Sequence, residues 1–346
     1  MDNKFIMPAE WAPQEAIWLG WPHNASDWPG KLAAIHFVYG EIVRKIAEHQ
    51  LVRIIVNDAK HEAKARGILD KNGVDPQMVE FFHVPTDRGW TRDFGPIFVK
   101  NADETAIAGF RFNAWAKYDD HKKDERVAEF LAKKLKKKYL PIKHKGKKFV
   151  LEGGAIDVNG KGTLLTTEEC LLDQEVQVRN PGVSRKEIED VLAESLGATN
   201  VLWLNKGIAG DDTHGHVDDL ARFTDAKTIV LCRETNSKDA NYELLEENRE
   251  RVEGFKLENG KRPACVFLPM PDPIIFRGQR LPASYANFLI TNETVLVPTF
   301  NDEKDRVALG ILSDLFPKLK VVGIHAVDLV WGLGTLHCLS QQQPVS

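Results

Sequence analysis

Apolar positions along this chain fall into short strand-length runs separated by segments of helical period, and one order of elements recurs. Two strands joined by a tight turn are followed by a helix and then by another strand. The clearest copy spans residues 287–325: runs at 286–290 and 294–298 flank the polar turn Thr291-Asn292-Glu293. Asp302-Glu303-Lys304-Asp305 then opens a helix carrying Val307, Leu309, Ile311, Leu312 and Leu315, and residues 320–324 close the unit as a strand. A second copy spans residues 155–204, with the hairpin turn Asn159-Gly160-Lys161-Gly162, a helix from Ser184 bearing Ile188, Val191, Leu192 and Leu196, and a last strand at 201–204. A third spans 218–269, with a strand at 228–231 and a charged helix around 242–252. A looser fourth starts at Pro96-Ile97-Phe98-Val99 and uses a helix around 127–135. The opening segment supplies an apolar run at 16–19, a helix from about 31 to 49 and a strand at 52–56. Units recurring at intervals of roughly 50–70 residues predict an α/β chain arranged radially or as a solenoid rather than as a doubly wound sheet.

Composition narrows the classes. Hydrophobic residues make up 43% of the 346 and charged residues 28%, as in soluble globular proteins. The net charge of −4 argues against a nucleic-acid partner. One segment runs against that charge: residues 121–148 hold eleven Lys and one Arg, interspersed with Asp124, Glu125 and Glu129. Its apolar residues keep a helical period, so it is expected to be a solvated helix face. Met1-Asp2-Asn3-Lys4-Phe5 carries no apolar core of a signal peptide, and no apolar run is long enough to span a bilayer. Cys170, Cys232, Cys265 and Cys338 are far apart and show neither a zinc spacing nor a disulfide framework. A cytoplasmic enzyme without membrane partners is the expectation.

Four motifs carry chemistry. Cys338 follows Gly332-Leu333-Gly334, where the glycines would permit a sharp turn, and adjoins His337. A thiolate is a strong nucleophile, whereas the other three cysteines sit in or beside apolar segments and read as structural. Asp93, in Trp90-Thr91-Arg92-Asp93-Phe94-Gly95-Pro96, is either a turn cap paired with Arg92 or a carboxylate at a strand entry beside an aromatic wall, able to take two N–H groups of a planar guanidinium. Glu152 ends the apolar run 148–151 and precedes Gly153-Gly154, which admits close backbone approach; an exposed turn is the alternative. His214-Gly215-His216-Val217-Asp218-Asp219 reads two ways. A zinc hydrolase would use His-x-His-x-Asp, but that pattern has a histidine where Asp219 stands. Alternatively His216 is an acid/base and Asp218 a substrate carboxylate, both facing one cleft because residues two apart in an extended segment share a face.

Taken in order, Trp90-x-Arg92-Asp93-x-Gly95-Pro96, Glu152-Gly153-Gly154, Gly215-His216-Val217-Asp218-Asp219 and Leu336-His337-Cys338 resemble the agmatine deiminases and the bacterial, Porphyromonas-type peptidylarginine deiminases. The resemblance extends through Phe112-Asn113-Ala114-Trp115, Thr167-Glu168-Glu169-Cys170, Arg179-Asn180-Pro181, residues 281–288 and the tail Gln341-Gln342-Gln343-Pro344. It implies a five-bladed α/β propeller of ββαβ units, here one deiminase domain over residues 1–346, and cofactor-free, metal-free hydrolysis of a guanidine to a urea and ammonia. In this reading Cys338 is the nucleophile, His216 the acid/base, Asp93 and Asp218 hold the guanidinium, and Glu152 supports His216. The expected reaction is agmatine to N-carbamoylputrescine in polyamine biosynthesis; deimination of peptidyl or free arginine is the alternative, and the zinc hydrolase a third reading. The expected partner is a small guanidine, with a homo-oligomer left open. Asp212 is a candidate for agmatine's amine, and Trp21, Trp90 and Trp115 for walls along its aliphatic stem. Acids crowded around Cys338 should raise its pKa until a guanidinium arrives. Leu333, Thr335, His214, Arg111 and Ala116-Lys117 depart from the residues that relatives often carry there.

Overall fold

The computed structural model describes residues 4–346; Met1, Asp2 and Asn3, the head of the segment read above for a signal peptide, lie outside them. The architecture is mixed α/β. Five separate sheets of three or four strands, with no closed barrel, account for most of the strands. Four of them have the expected unit form. In the fifth sheet Leu289–Ile290 pairs antiparallel with Thr294–Thr299, the helix Lys304–Leu315 crosses over, and Lys320–His325 returns parallel to Thr294–Thr299. The second sheet (Ile97–Lys100, Thr105–Gly109, Lys138–Pro141), the third (Asp157–Val158, Thr163–Thr167, Asn200–Leu204) and the fourth (Ala221–Asp225, Thr228–Arg233, Ala264–Pro269) repeat that order.

The first sheet departs from the sequence reading. Gln14–Gly20, Leu51–Val56 and Val79–His83 are mutually parallel, linked by the helices Leu32–Ala47 and Ala59–Lys71. Its antiparallel member is Ser340–Pro344, from the far end of the sequence. Short-range pattern could not announce that pairing. Its polar side chains nevertheless find partners inside: Gln343 Oε1 accepts from Trp18 Nε1 at 2.9 Å and from Arg53 Nη1 at 2.6 Å, while Arg92 Nη1 donates to Gln341 and Gln342 at 2.9 and 2.7 Å.

Local chemistry fixes the helices. Ile35, Tyr39, Ile42, Val43 and Ile46 form the buried stripe of Leu32–Ala47. Arg185–Leu196 starts on a Ser184/Glu187 capping box and stops at Gly197, whose φ of +69° suits a left-handed cap. The lysine-rich stretch is corrected: only Val127–Lys134 within it is an α-helix, and the rest forms Lys138–Pro141 and the small hairpin Lys143–His144/Lys147–Lys148. Its lysines are solvated, all exposed except the half-buried Lys137. No helix among the described residues is long and apolar enough to cross a membrane.

Between the sheets lies a buried charge cluster. Arg222, fully buried, pairs with Glu10, lies 3.4 Å from Asp157 through Nε, and donates to the Phe288 carbonyl at 2.9 Å. Burial alone would raise the Glu10 carboxyl; Arg222 and His337 overcome it and hold Glu10 far below the carboxylate range. Removing one partner of a buried pair leaves the other charge stranded. Arg222→Met should therefore cost about 3–5 kcal/mol in urea unfolding; a loss below about 1 kcal/mol would mean that Glu10 and Asp157 find other cations.

Candidate active site

Each of the five sheets places a polar side chain just ahead of its first antiparallel strand, and these side chains meet. Asp93 precedes Ile97–Lys100, Glu152 precedes Asp157–Val158, His216 and Asp218 precede Ala221–Asp225, Asn287 precedes Leu289–Ile290, and Cys338 precedes Ser340–Pro344. Loops at equivalent ends of strands can thus converge on one point while the sheets stay rigid.

Asp93 sits in the single helical turn Thr91–Phe94 that leads into the strand Ile97–Lys100, and Arg92 is directed away from it, towards Gln341 and Gln342. Its Oδ2 accepts from Trp115 Nε1 at 2.9 Å and its Oδ1 from the Gly154 N–H at 3.0 Å. Glu152 is also corrected: the regular strand there is only Lys147–Lys148, and a lone bridge from Val150 to Arg111 carries the chain on to Glu152. Glu152 Oε1 accepts from Arg179 Nε at 3.0 Å, both side chains fully buried. The paired glycines do allow close approach, since a Cβ on Gly154 would lie 2.6 Å from His216 Nδ1 and 2.9 Å from Asp93 Oδ1. His216 and Asp218 do face one site, but through the 3-10 turn Val217–Asp219 rather than an extended pleat.

His216 Nδ1 lies 3.8 Å from Asp93 Oδ1, and its Nε2 lies 3.9 Å from Glu152 Oε2. Asp218 Oδ2 accepts from His337 Nδ1 at 2.7 Å and lies 3.7 Å from Cys338 Sγ. His337 Nε2 contacts Glu10 at 2.9 Å, which ties the site to the buried cluster. Asn287 holds the surroundings of Cys338 together: its Nδ2 lies 3.1 Å from Cys338 Sγ and 3.0 Å from Asp219 Oδ1, and its Oδ1 accepts from Thr335 Oγ1 at 2.8 Å. Sequence reading assigned no role to Asn287 or Glu10. For Asn287 the available signal was a polar residue at the head of a buried strand.

The turn before Cys338 works differently from the expectation. Leu333, not a flanking glycine, takes the left-handed φ of +67°. The glycines are needed for space: a Cβ on Gly332 would meet Trp28 at 2.6 Å, and one on Gly334 would meet Trp90 at 2.9 Å and Cys338 Sγ at 3.2 Å. His214, with φ of +64°, is likewise in the region that Asn and Asp tolerate best. Its Nε2 lies 2.7 Å from Asp173, so His-x-His-x-Asp does not converge as a metal site. The groups of His, Cys, Asp and Glu close enough to share an ion are, among the described residues, Glu152 with Cys170 and His216, and Asp218 with Asp219 and Cys338; neither includes His214. Cys170 and Cys232 are buried, as a structural role requires, while Cys265 is half-buried.

Burial pushes the Cys338 thiol well above its ordinary pKa, and the charges of Asp218, Asp219 and Asp93 add to that. Burial likewise pushes Asp93 up to about 6, with Asp218 and Glu152 reinforcing it against the pull of His216. Glu152 goes the other way: its burial is outweighed by Arg179 and His216, which hold it at about 2. Burial disfavours the His216 cation, yet Asp93 and Glu152 keep its pKa well above the ordinary value. Asp218 is lowered, because His337 outweighs its burial. Several of these buried atoms have no hydrogen-bond partner: Asp218 Oδ1, Glu152 Oε2 and both ring nitrogens of His216.

Above Asp93 and Cys338 opens a cavity of about 280 Å³, lined by Trp90, Trp115, Tyr118, Asp212 and Trp331 among others. Trp331 is an addition to the expected walls. Trp21 does not line the cavity; it is buried behind the first sheet's strands, 5.6 Å from the His36 ring and 5.8 Å from Tyr39. Asp212 lines the cavity but is already engaged, by Lys117 Nζ at 2.5 Å and by the Tyr118 hydroxyl at 2.7 Å.

The Porphyromonas-type peptidyl-arginine deiminase family model matches residues 6–344. This chain belongs to that family. The agmatine deiminase of Ectopseudomonas mendocina (strain ymp) is 34% identical, over 98% of this chain and 95% of that protein. The solved agmatine deiminase of Enterococcus faecalis matches with a TM-score of 0.89 and 30% identity, covering 99% of this chain and 96% of its own. A cysteine-to-serine variant of the C. jejuni agmatine deiminase with substrate bound matches with a TM-score of 0.86 and 33% identity, over 98% and 96%.

Asp93 must be ionised to hold a cation, and its raised pKa places that ionisation near pH 6. kcat/KM for a guanidine substrate should therefore fall as pH drops through about 6. A pH profile flat through that region would count against Asp93 as a guanidinium ligand.

Proposed function

We propose that this chain is an agmatine deiminase, hydrolysing agmatine to N-carbamoylputrescine and ammonia through a covalent amidino-cysteine. The observation that carries the reading is the set of buried, unpartnered acceptors, Asp218 Oδ1 and Glu152 Oε2, grouped with Asp93 around Cys338 and His216. Unsatisfied buried carboxylate oxygens are costly, and a planar cation with several N–H donors relieves that cost at a fixed orientation. The agmatine deiminases among the relatives support agmatine as the substrate.

In this mechanism Asp93 and Asp218 fix the plane of the guanidinium and keep its charge on the nitrogens. The incoming cation offsets the acids around Cys338, so substrate binding itself favours the thiolate, the thiol proton passing to solvent. Sγ attacks the guanidinium carbon, and His216 gives its proton to a terminal nitrogen, which leaves as ammonia. A water then passes one proton to His216 and attacks the amidino-thioether carbon as hydroxide; as the C–S bond breaks, the hydroxyl proton goes to the departing Sγ, restoring the thiol, and the ureido product departs. Glu152, pinned by Arg179, steadies the His216 cation. Trp90 and Trp115 wall the aliphatic stem, and Asp212 faces the amine.

The five sheets support a radial arrangement as a five-bladed propeller around this site, within one catalytic unit, and the proposed chemistry assigns no step to a cofactor or metal. A small guanidine as partner and a cytoplasmic setting complete the reading.

Ammonia release measured over agmatine, free arginine and a peptidyl-arginine should be fastest with agmatine; preference for either arginine substrate would overturn the assignment. Cys338→Ala should lower turnover by at least about 10³-fold, whereas Cys170→Ala should leave it largely intact. Mass spectrometry of the native protein quenched during agmatine turnover should find the amidino adduct on Cys338. Substantial turnover by the Cys338 variant would exclude the covalent route.

A further inference from the structure

We propose that Lys117 sets the selectivity for charge on the substrate's tail, by neutralising Asp212 from outside the cavity. The proposal rests on the agmatine reading above. Asp212 lines the cavity and Lys117 does not. The Lys117 side chain is 39% exposed against 14% for Asp212, so the carboxylate faces the cavity while its charge is met from the solvent side. Lys117 Nζ takes Oδ1, and the Tyr118 hydroxyl takes Oδ2. An ionised carboxylate has about four lone-pair sites, so a substrate ammonium can still dock, but on an acid whose charge is largely spent.

The remaining charges at the cavity deepen this effect. Arg88 lies over Tyr118 and uses its guanidinium on Asp27 Oδ1 at 2.5 Å and on Asp120 at 3.0 Å, while Asp27 Oδ2 has no hydrogen-bond partner among the described residues. Arg277 also lines the cavity, its guanidinium lying over the Phe276 ring at 5.1 Å. The entrance thus sets the cations Arg88 and Arg277 beside its acids, and Asp212 is the acid that Lys117 opposes. The position of Lys117 is built in: the three residues before it, Ala114, Trp115 and Ala116, all have positive φ, of 49°, 59° and 53°, and the Lys117 N–H closes on the Ala114 carbonyl at 3.0 Å.

The test compares agmatine with butylguanidine, which lacks the amine, by ammonia release at low salt. Lys117→Gln should raise kcat/KM for agmatine about three- to fivefold, through a lower KM at unchanged kcat, the range for one partly solvated ion pair. Butylguanidine should be unaffected. Asp212→Asn should weaken agmatine use alone, and in that background the Lys117→Gln gain should vanish, because the two residues act as one unit. The proposal is overturned if Lys117→Gln moves both substrates alike, if it lowers agmatine use, or if its effect persists with Asp212→Asn. Failure of the native protein to act on either guanidine would refute the deiminase reading itself, a distinct result.

Discussion

The controlling constraint in this structure is the burial of several carboxylates around one thiol. Asp93, Glu152, Asp218 and Asp219 are all at most 5% exposed, and each ion taken from water costs several kcal/mol unless it is paired. The protein pairs them unequally. Glu152 has Arg179, Asp218 has His337, and behind them Glu10 has Arg222. Asp93 bonds only two neutral donors, Trp115 and the Gly154 amide, with the His216 ring 3.8 Å away, and Asp218 keeps one oxygen without a partner among the described residues. The resulting imbalance is what a planar cation can correct, and the same imbalance keeps Cys338 protonated until that cation arrives. In the proposed mechanism, substrate binding and activation of Cys338 are thus one electrostatic event.

The fold delivers this crowding through repetition. Every sheet sends its contribution from the same place in its own unit, the few residues before the first antiparallel strand. Glycines serve there for space rather than for turn geometry: a Cβ on Gly153, Gly154, Gly332 or Gly334 would lie within 3.0 Å of a neighbouring atom. The aromatic walls then need only cover the top.

Much of this was readable in the sequence because the units are local. Hairpin turns, helix caps and apolar periods lie within some fifty residues of one another, and four of the five sheets follow from them. The four motifs were visible as dense chemistry beside glycines, and the structure brings their Cys, His and acids together. What escaped depends on distance along the chain. The pairing of Ser340–Pro344 with Gln14–Gly20 joins residues more than three hundred positions apart, and Glu10 reaches His337 and Arg222 only once the sheets are assembled. Trp21 was misplaced because a tryptophan in a Gly-Trp-Pro segment looks the same whether it lines a cavity or backs a sheet. The paired state of Asp212 was hidden for a similar reason: nothing in the sequence near it names Lys117.

The left-handed run Ala114-Trp115-Ala116 holds two duties on one short stalk. Its middle residue donates to Asp93 at the reacting end of the cavity, and the residue after it meets Asp212 at the far end. Three such residues in succession each cost roughly 1–2 kcal/mol, so the surrounding packing must over-determine them. An insertion or deletion here would move both ends together, and the tryptophan's grip on Asp93 would be lost along with the lysine. The route by which this scaffold can diverge in tail preference is therefore narrow: side chains can be exchanged at position 117, while the length of the segment is locked by the chemistry at the other end.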